Sequence, residues 1–386
     1  MTVDLHVNER ARRDIDPAPF QPPSQAPRGF HRRLPEYANT PLVEAPNLAA
    51  RLGVARVFVK DESHRLTMPS YKILGASWAI YREVIDVFTL DPEPWHSVNE
   101  LAYALRSAGH LTLSAATDGN HGRAVAHVAA LLGWEATIYV PEGTVASRID
   151  DIASEGATVM VVDGTYDEAV VRAADDASRN TLVISDTAWP GYDRVPRRVV
   201  EGYSTIFWEV EDQITADGLP QPTTVAVQMG VGSLAAAAVL HYRTGDRVRP
   251  LLVGVEPVDA ACVLKSVRAG RLTEVPGPHR SIMAGLNCGL PSPLALPLLR
   301  AGIDSFVAVD DEDARRAMRD LAGAGIESGE SGAASLAGLT AAARAGRGDE
   351  FGLSIDDVVL LVSTEGATDP EAYREILAEE TAVKAG

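Results

Sequence analysis

Cysteine is scarce in this chain: its 386 residues include two, Cys262 and Cys288. Two thiols cannot form a disulfide framework, nor by themselves a structural zinc site. A cytoplasmic protein without a metal centre is therefore expected. Long apolar runs are missing as well. The N-terminal stretch MTVDLHVNERARRDIDPAPFQPP has no segment able to act as a signal-peptide core. Residues 225–240 are the most membrane-like, but they are too few to span a bilayer and include Gln228, Gly230, Gly232 and Ser233. Neither a membrane span nor a membrane partner is expected. Basic residues are in deficit, 35 against 53 acidic, for a net charge of −18. Such a chain repels phosphate backbones, so nucleic acid is not an expected partner. An anionic ligand must be held locally, by backbone amides or a few placed cations. Aromatics are only 6%, yet 46% hydrophobic and 23% charged residues is a globular composition, which excludes disordered and fibrous classes. The length admits at most about three domains.

What is present is a series of short apolar runs alternating with longer amphipathic stretches. Strands are expected at 57–60, 111–116, 136–140, 158–162, 182–185, 225–229, 251–255 and 358–362. Most are unbroken Val/Ile/Leu runs, the pattern of strands covered on both faces. Helices are expected at 73–87, 121–132, 145–154, 166–177, 233–243, 312–324 and 333–343. Regular alternation implies an α/β fold with mostly parallel, doubly wound sheets. Residues 1–35, rich in Pro, Arg and Asp, read as an irregular arm, and 91–109 and 218–224 as places where the chain passes between layers or lobes.

Ligands in such folds sit beyond the carboxyl ends of strands, so the residues after each strand carry the information. Gly230-Val231-Gly232-Ser233-Leu234-Ala235 follows VAVQM and opens an Ala-rich helix. Consecutive backbone N–H groups at a helix start bind phosphate without a basic side chain. The same loop fits the dinucleotide pattern G-x-G-x-x-A, with Glu256 placed as a ribose-binding acid, and also fits a plain tight turn. Thr117-Asp118-Gly119-Asn120-His121-Gly122 follows another strand. Asp118 reads as a general base or, like Asn120, as a helix cap; His121 reads equally as packed or catalytic. Lys72, in PSYKILGA, begins a helix against the dipole. It is either a snorkelling surface lysine or one that forms a Schiff base with a carbonyl cofactor. Ser363-Thr364-Glu365-Gly366 ends the last strand as a polar turn or as hydroxyls facing the same crevice.

Pyridoxal 5′-phosphate uses all four places: an amine for its aldehyde, amides for its phosphate, a donor for its ring oxygen and a partner for its ring nitrogen. A dinucleotide leaves Lys72 and the Asn120 loop idle.

From about residue 38 onward the chain resembles the fold type II, tryptophan synthase β-like, pyridoxal-phosphate enzymes, and among them the diaminopropionate ammonia-lyases. SYKILGA is similar to the family's lysine motif, TDGNHG to its asparagine loop and GVGSLA to its phosphate loop. TDGNHGR, DTAWPGY at 186–192, VEPVDAAC at 255–262, GLNCG at 285–289, SGESGA at 328–333 and STEGATDP at 363–370 are similar to the ammonia-lyase branch in particular. The lysine motif MPSYKILGAS is nearer the Ser-x-Lys form of threonine and serine dehydratases, and 91–109 matches nothing in the family.

The resemblance implies a two-domain architecture: a larger pyridoxal-phosphate-binding domain of 36–85 and 206–386, and a smaller α/β domain of 86–205. It implies that Lys72 holds the cofactor as an aldimine, that Asn120 contacts the ring oxygen and that amides of Gly230, Val231, Gly232, Ser233 and Leu234 bind phosphate. Ser363 or Thr364 then faces the ring nitrogen, and Asp118 and Asp186 form an acidic pair at the reacting end. Lys72 is the expected base on one face, with Asp118 on the other if both enantiomers are accepted. The implied reaction converts 2,3-diaminopropionate to pyruvate and ammonia through an external aldimine and aminoacrylate. A serine/threonine-type dehydratase or a β-eliminase of a related amino acid is the alternative. If the two acids lie close together, like-charge repulsion is expected to raise one pKa and create a proton donor. A homodimer acting on a small amino acid is expected.

Overall fold

The computed structural model describes residues 3–117 and 119–384, so Asp118 lies outside the described residues. The chain divides into two compact units, one of Met1–Pro23, Asn39–His64 and Ile206–Gly386, the other of Ser24–Ala38 and Arg65–Thr205. The strands are β1 (Asp4–Val7), β2 (Leu42–Glu44), β3 (Arg56–Asp61), β4 (Thr112–Ala116), β5 (Glu135–Pro141) and β6 (Thr158–Val162). They continue with β7 (Thr181–Val183), β8 (Thr224–Gln228), β9 (Leu251–Pro257), β10 (Ser305–Val309) and β11 (Val358–Ser363). The helices are α1 (Ala26–His31), α2 (Pro46–Leu52), α3 (Lys72–Phe88), α4 (Val98–Leu105), α5 (Asn120–Leu132), α6 (Ala146–Ser154) and α7 (Tyr166–Ala174). After them come α8 (Arg194–Ala216), α9 (Ser233–Arg243), α10 (Cys262–Ala269), α11 (Leu296–Gly302), α12 (Asp311–Gly323), α13 (Ala334–Arg344) and α14 (Pro370–Lys384).

In the first unit a seven-stranded sheet runs in the order β1-β10-β9-β8-β11-β3-β2. Its inner strands β10, β9, β8, β11 and β3 are parallel, and the two edges, β1 and β2, are antiparallel to their neighbours. Every residue of β8, β10 and β11 is buried. Helix cover on both faces therefore explains the unbroken apolar runs. In the second unit β6-β5-β4-β7 form a wholly parallel sheet. Helix α5 packs on β4 and β5, and α3 packs on α5.

All eight expected strands form, though the run at 182–185 supplies only the short β7. The arm expected to be irregular is corrected: β1 extends the sheet by pairing Leu5 with Val307, and α1 packs on α3. The boundary expected near residue 85 falls at 64/65, because α3 packs with α5 and belongs to the second unit. Residues 98–105 are a helix packed on α5 inside that unit, rather than a passage between layers.

Helix α8, 23 residues long, is absent from the expected elements. Pro196 and Gly202 interrupt its sequence, and both read as helix breakers. The glycine has a packing cause. A Cβ on Gly202 would stand 2.4 Å from the backbone oxygen of Leu74, and one on Gly75 would stand 2.5 Å from the Tyr203 ring. Helices α3 and α8 thus cross glycine to glycine, which fixes the start of α3, where Lys72 stands. Helix propensity alone makes Gly202→Ala stabilising by about 1 kcal/mol. The crossing reverses that sign, because the obstructing atom is backbone. Urea denaturation of Gly202→Ala should show a loss of about 1–3 kcal/mol, and a gain would remove the crossing as the reason for the glycine.

Candidate active site

In the second unit, Lys72 and Asp186 meet. Lys72 Nζ donates to Asp186 Oδ2 at 2.6 Å, with side chains only 15% and 5% exposed. Lys72 is thereby removed from the surface, so the snorkelling alternative fails. Asp186 lies three residues beyond the end of β7, and its other oxygen accepts from the Tyr166 hydroxyl at 3.1 Å. Tyr166 is the first residue of α7, whose start is secured by a capping box between Thr165 and Glu168. His121 Nε2 donates to the Ile184 carbonyl at 2.8 Å, since a carbonyl only accepts. Burial lowers the pKa of His121, so this imidazole is neutral.

The acid expected from like-charge repulsion does not emerge at Asp186. Burial alone raises its pKa, but the Lys72 ammonium and the hydrogen bonds from Lys72 and Tyr166 outweigh burial. The carboxyl is held well below the usual carboxylate range. The site therefore holds an ionised acceptor at this position.

Asn120 opens α5. Gly119 occupies the cap of that helix, and its N–H bonds to Thr117 Oγ1 at 2.9 Å. The capping alternative for Asn120 is thus set aside. A Cβ on Gly122 would stand 2.4 Å from Thr117 and 2.5 Å from Ile138, so this glycine lets α5 settle onto the sheet.

In the first unit, Gly230–Leu234 turns from β8 into α9. Gly232 is the cap, at φ +95°, and as a glycine it supplies no side-chain cap. A Cβ on Gly230 would come within 3.1 Å of the Gly285 carbonyl and of Cys288 Sγ. The motif residues of this unit gather here. Gln228 Nε2 lies within hydrogen-bond reach of Thr364 Oγ1 (2.7 Å), the Ser331 carbonyl (2.9 Å) and the Val362 carbonyl (3.1 Å). Ser363 Oγ donates to Ser328 Oγ at 2.8 Å. The Ser331 amide donates to Glu365 at 3.0 Å, and the Gly285 amide donates to Ser331 Oγ at 3.1 Å. Gln228 and Tyr166 were not expected as site residues. The signal for Gln228 is one polar side chain closing a run of buried strand residues; Tyr166 carries no signal beyond its helix cap.

Glu256 settles the dinucleotide alternative. Its two oxygens accept from the amides of Val263 and Leu264, both at 2.8 Å, at the start of α10. It is fully buried, so it is a helix anchor and cannot hold a ribose.

A family model described as "Pyridoxal-phosphate dependent enzyme" matches residues 34–364. Over 392 residues the chain is 36% identical to diaminopropionate ammonia-lyase of Escherichia coli (strain K12), across 98% of this chain and 97% of that one. The chain belongs to the diaminopropionate ammonia-lyase family of pyridoxal-phosphate dependent enzymes. The crystal structure of the Escherichia coli ammonia-lyase in complex with D-serine matches at TM-score 0.89 and 34% identity, covering 98% of this chain and 97% of that one. The same enzyme in complex with an aminoacrylate-PLP azomethine reaction intermediate matches at 0.87 and 33%, with the same coverage. The two parallel sheets are thus the tryptophan synthase β-like architecture of the ammonia-lyase family.

Pyridoxal 5′-phosphate is the cofactor of this ammonia-lyase family, and the residues present fit it. Lys72 offers a sheltered primary amine, the start of α9 offers backbone amides behind a glycine cap, and Ser363 offers a hydroxyl 1% exposed. Among the described residues no cluster of side chains has the composition of a metal site, and no helix is long and apolar enough to cross a membrane.

Burial pushes the Glu256 carboxyl up to about 8, against the lowering pull of its two amide donors and Cys262. A carboxyl that holds its proton more tightly when folded stabilises fully below its unfolded pKa of 4.5. That contribution is lost as pH rises through about 8. Thermal melts between pH 5 and 9 should show Glu256→Gln losing less stability than the parent as pH rises; parallel curves would contradict the buried acid.

Proposed function

We propose that this enzyme eliminates ammonia from 2,3-diaminopropionate to give, after hydrolysis, pyruvate and a second ammonia. The observation that carries the reading is the Lys72–Asp186 contact: an amine able to hold the cofactor's aldehyde lies 2.6 Å from a buried carboxylate. Bound pyridoxal phosphate supplies the electron sink that makes the substrate's Cα proton removable. Lys72 is assigned to the aldehyde and, once displaced by the substrate's amine, to proton removal from Cα. Asp118 is assigned as the base on the opposite face, which lets both enantiomers react. Asn120 is assigned to the ring oxygen, the amides of Gly230, Val231, Gly232, Ser233 and Leu234 to the phosphate, and Ser363 or Thr364 to the ring nitrogen. A neutral hydroxyl there leaves the ring less electron-withdrawing than a carboxylate would, which suits elimination.

The state of Asp186 decides how the β-amino group leaves. A carboxylate held ionised is a poor proton donor and a good receptor for a cation. The β-amino group of the substrate is an ammonium at neutral pH and brings its own proton. Asp186 is assigned to bind and orient it, so that neutral ammonia departs. A dehydratase acting on serine or threonine is not favoured by the full-length likeness to ammonia-lyases. The enzyme is further taken as a cytoplasmic homodimer, a reading supported by its family and by two buried cysteines that no disulfide joins.

The test is pyruvate and ammonia release from 2,3-diaminopropionate, run beside serine and threonine. Two ammonia per pyruvate are expected, with Asp186→Asn slowed about 10²–10³-fold in kcat/KM while the bound cofactor keeps its visible band. Keto acid from serine or threonine but none from the diamine would overturn the substrate assignment, and full activity in Asp186→Asn would remove its role.

Tyr166→Phe leaves Asp186 ionised but frees one oxygen. A loss of about tenfold or more in kcat/KM is expected, chiefly through KM. An unchanged KM would mean that the Tyr166 hydroxyl does not orient Asp186.

A further inference from the structure

Tyr203 of α8 is a buried ionisable side chain beside Lys72 that the assigned chemistry leaves unused. It is 0% exposed, and its ring lies at the crossing of α3 and α8. A Cβ on Gly75, one turn beyond Lys72, would stand 2.5 Å from Tyr203 Cε1 and 2.8 Å from Cζ, the carbon that carries the hydroxyl. Tyr71, immediately before Lys72, packs on the same ring with centroids 4.7 Å apart, and Lys72 Nζ lies 5.6 Å from the Tyr71 centroid. The hydroxyl end of Tyr203 is thus at the first turn of α3, where the Lys72 ammonium is the cation that acts on it.

That hydroxyl makes no hydrogen bond among the described residues. A buried hydroxyl without a partner costs stability, and phenylalanine would fill the same space without that cost. Packing explains the ring and leaves the oxygen unexplained. Lys72 Nζ, its polar neighbour, is engaged with Asp186 at 2.6 Å. The two groups beside Lys72 differ in charge. An ionised carboxylate holds Lys72 as an ammonium, which has no lone pair to attack an aldehyde or to take a Cα proton. Burial raises the pKa of Tyr203 well above its ordinary value, so this residue is an uncharged phenol.

We propose that Tyr203 is a positioning residue for Lys72: its phenol oxygen accepts an N–H of the neutral amine whenever Lys72 leaves Asp186. The nitrogen lone pair then stays free, and no negative charge draws a proton back onto it. The proposal rests on the roles assigned above to Lys72 and Asp186. Once the substrate's ammonium is on the carboxylate and its other amine has displaced Lys72, the released lysine is a neutral amine and needs a partner of this kind. The same exchange is required when Lys72 first takes the cofactor. The ammonium gives its proton to the medium, and the amine joins the aldehyde with loss of water.

Reconstitution tests this, because it contains no amino acid. When pyridoxal phosphate is added to the apoenzyme, Tyr203→Phe should form the visible band about tenfold more slowly than the parent, with the same final spectrum. Its Tm should equal or exceed the parent's, since the variant loses only an unpaired hydroxyl. In the holoenzyme, kcat for the diamine should fall about tenfold with KM held within about twofold, because Asp186 is untouched. A parental rate of band formation overturns the proposal, whatever the substrate proves to be. So does a Tm several degrees below the parent's, or a failure to fold, since either makes the hydroxyl a structural bond. Slowed band formation in Tyr203→Phe, beside a parent that turns over no diaminopropionate, supports the role of Tyr203 and removes only the substrate assignment.

Discussion

A carboxylate enclosed by protein costs several kcal/mol unless a cation and hydrogen bonds replace its water. Asp186 meets that condition through Lys72 and Tyr166, and the surrounding elements are disposed around it. The glycine-to-glycine crossing of α3 and α8 sets where Lys72 begins its helix, and the capping box of α7 sets where Tyr166 begins its own. The neutral His121, tied to Ile184, holds the segment leading to Asp186 without adding a positive charge. Under the proposed assignment, a substrate ammonium offers this carboxylate the same kind of partner that the Lys72 ammonium offers in the structure.

The first unit solves a different electrostatic problem. A chain of net charge −18 must hold a phosphate, and the glycine loop assigned to it carries no basic side chain. Backbone N–H groups at the start of α9 carry partial positive charge, and the glycine cap lets a ligand approach them closely. The loop's position is fixed from behind by Gln228, which ties the end of β8 to the Ser331, Val362 and Thr364 backbone and side-chain oxygens. The acidic surplus and the anionic cofactor are compatible because the two never need to interact through side chains.

Much of this was legible in the residues. Buried parallel strands need continuous apolar runs, and all eight such runs became strands. The edges β1 and β2 escaped because a three- or four-residue strand paired on one side carries little pattern, and the inner strand β10 was not among the expected strands either. Helix α8 escaped because the glycine required by its crossing is the residue that argues against a helix, a conflict only tertiary contact resolves. Lys72, Asn120 and the glycine loop stood out because each is odd for its local structure. Tyr166 did not, since a tyrosine opening a helix is ordinary until its hydroxyl is seen on Asp186. The sequence alone left open which of Asp118 and Asp186 would carry the raised pKa; at Asp186 the lysine that lies 114 residues away in sequence lowers it instead.

The central claim is that Asp186 is ionised at neutral pH and serves as a cation receptor. Infrared difference spectroscopy of the holoenzyme against its Asp186→Asn variant tests it directly. An ionised carboxylate band that disappears in the variant, with no protonated carboxyl band lost at neutral pH, is the predicted result. Loss of a protonated carboxyl band would show that Asp186 carries a proton and would contradict the account.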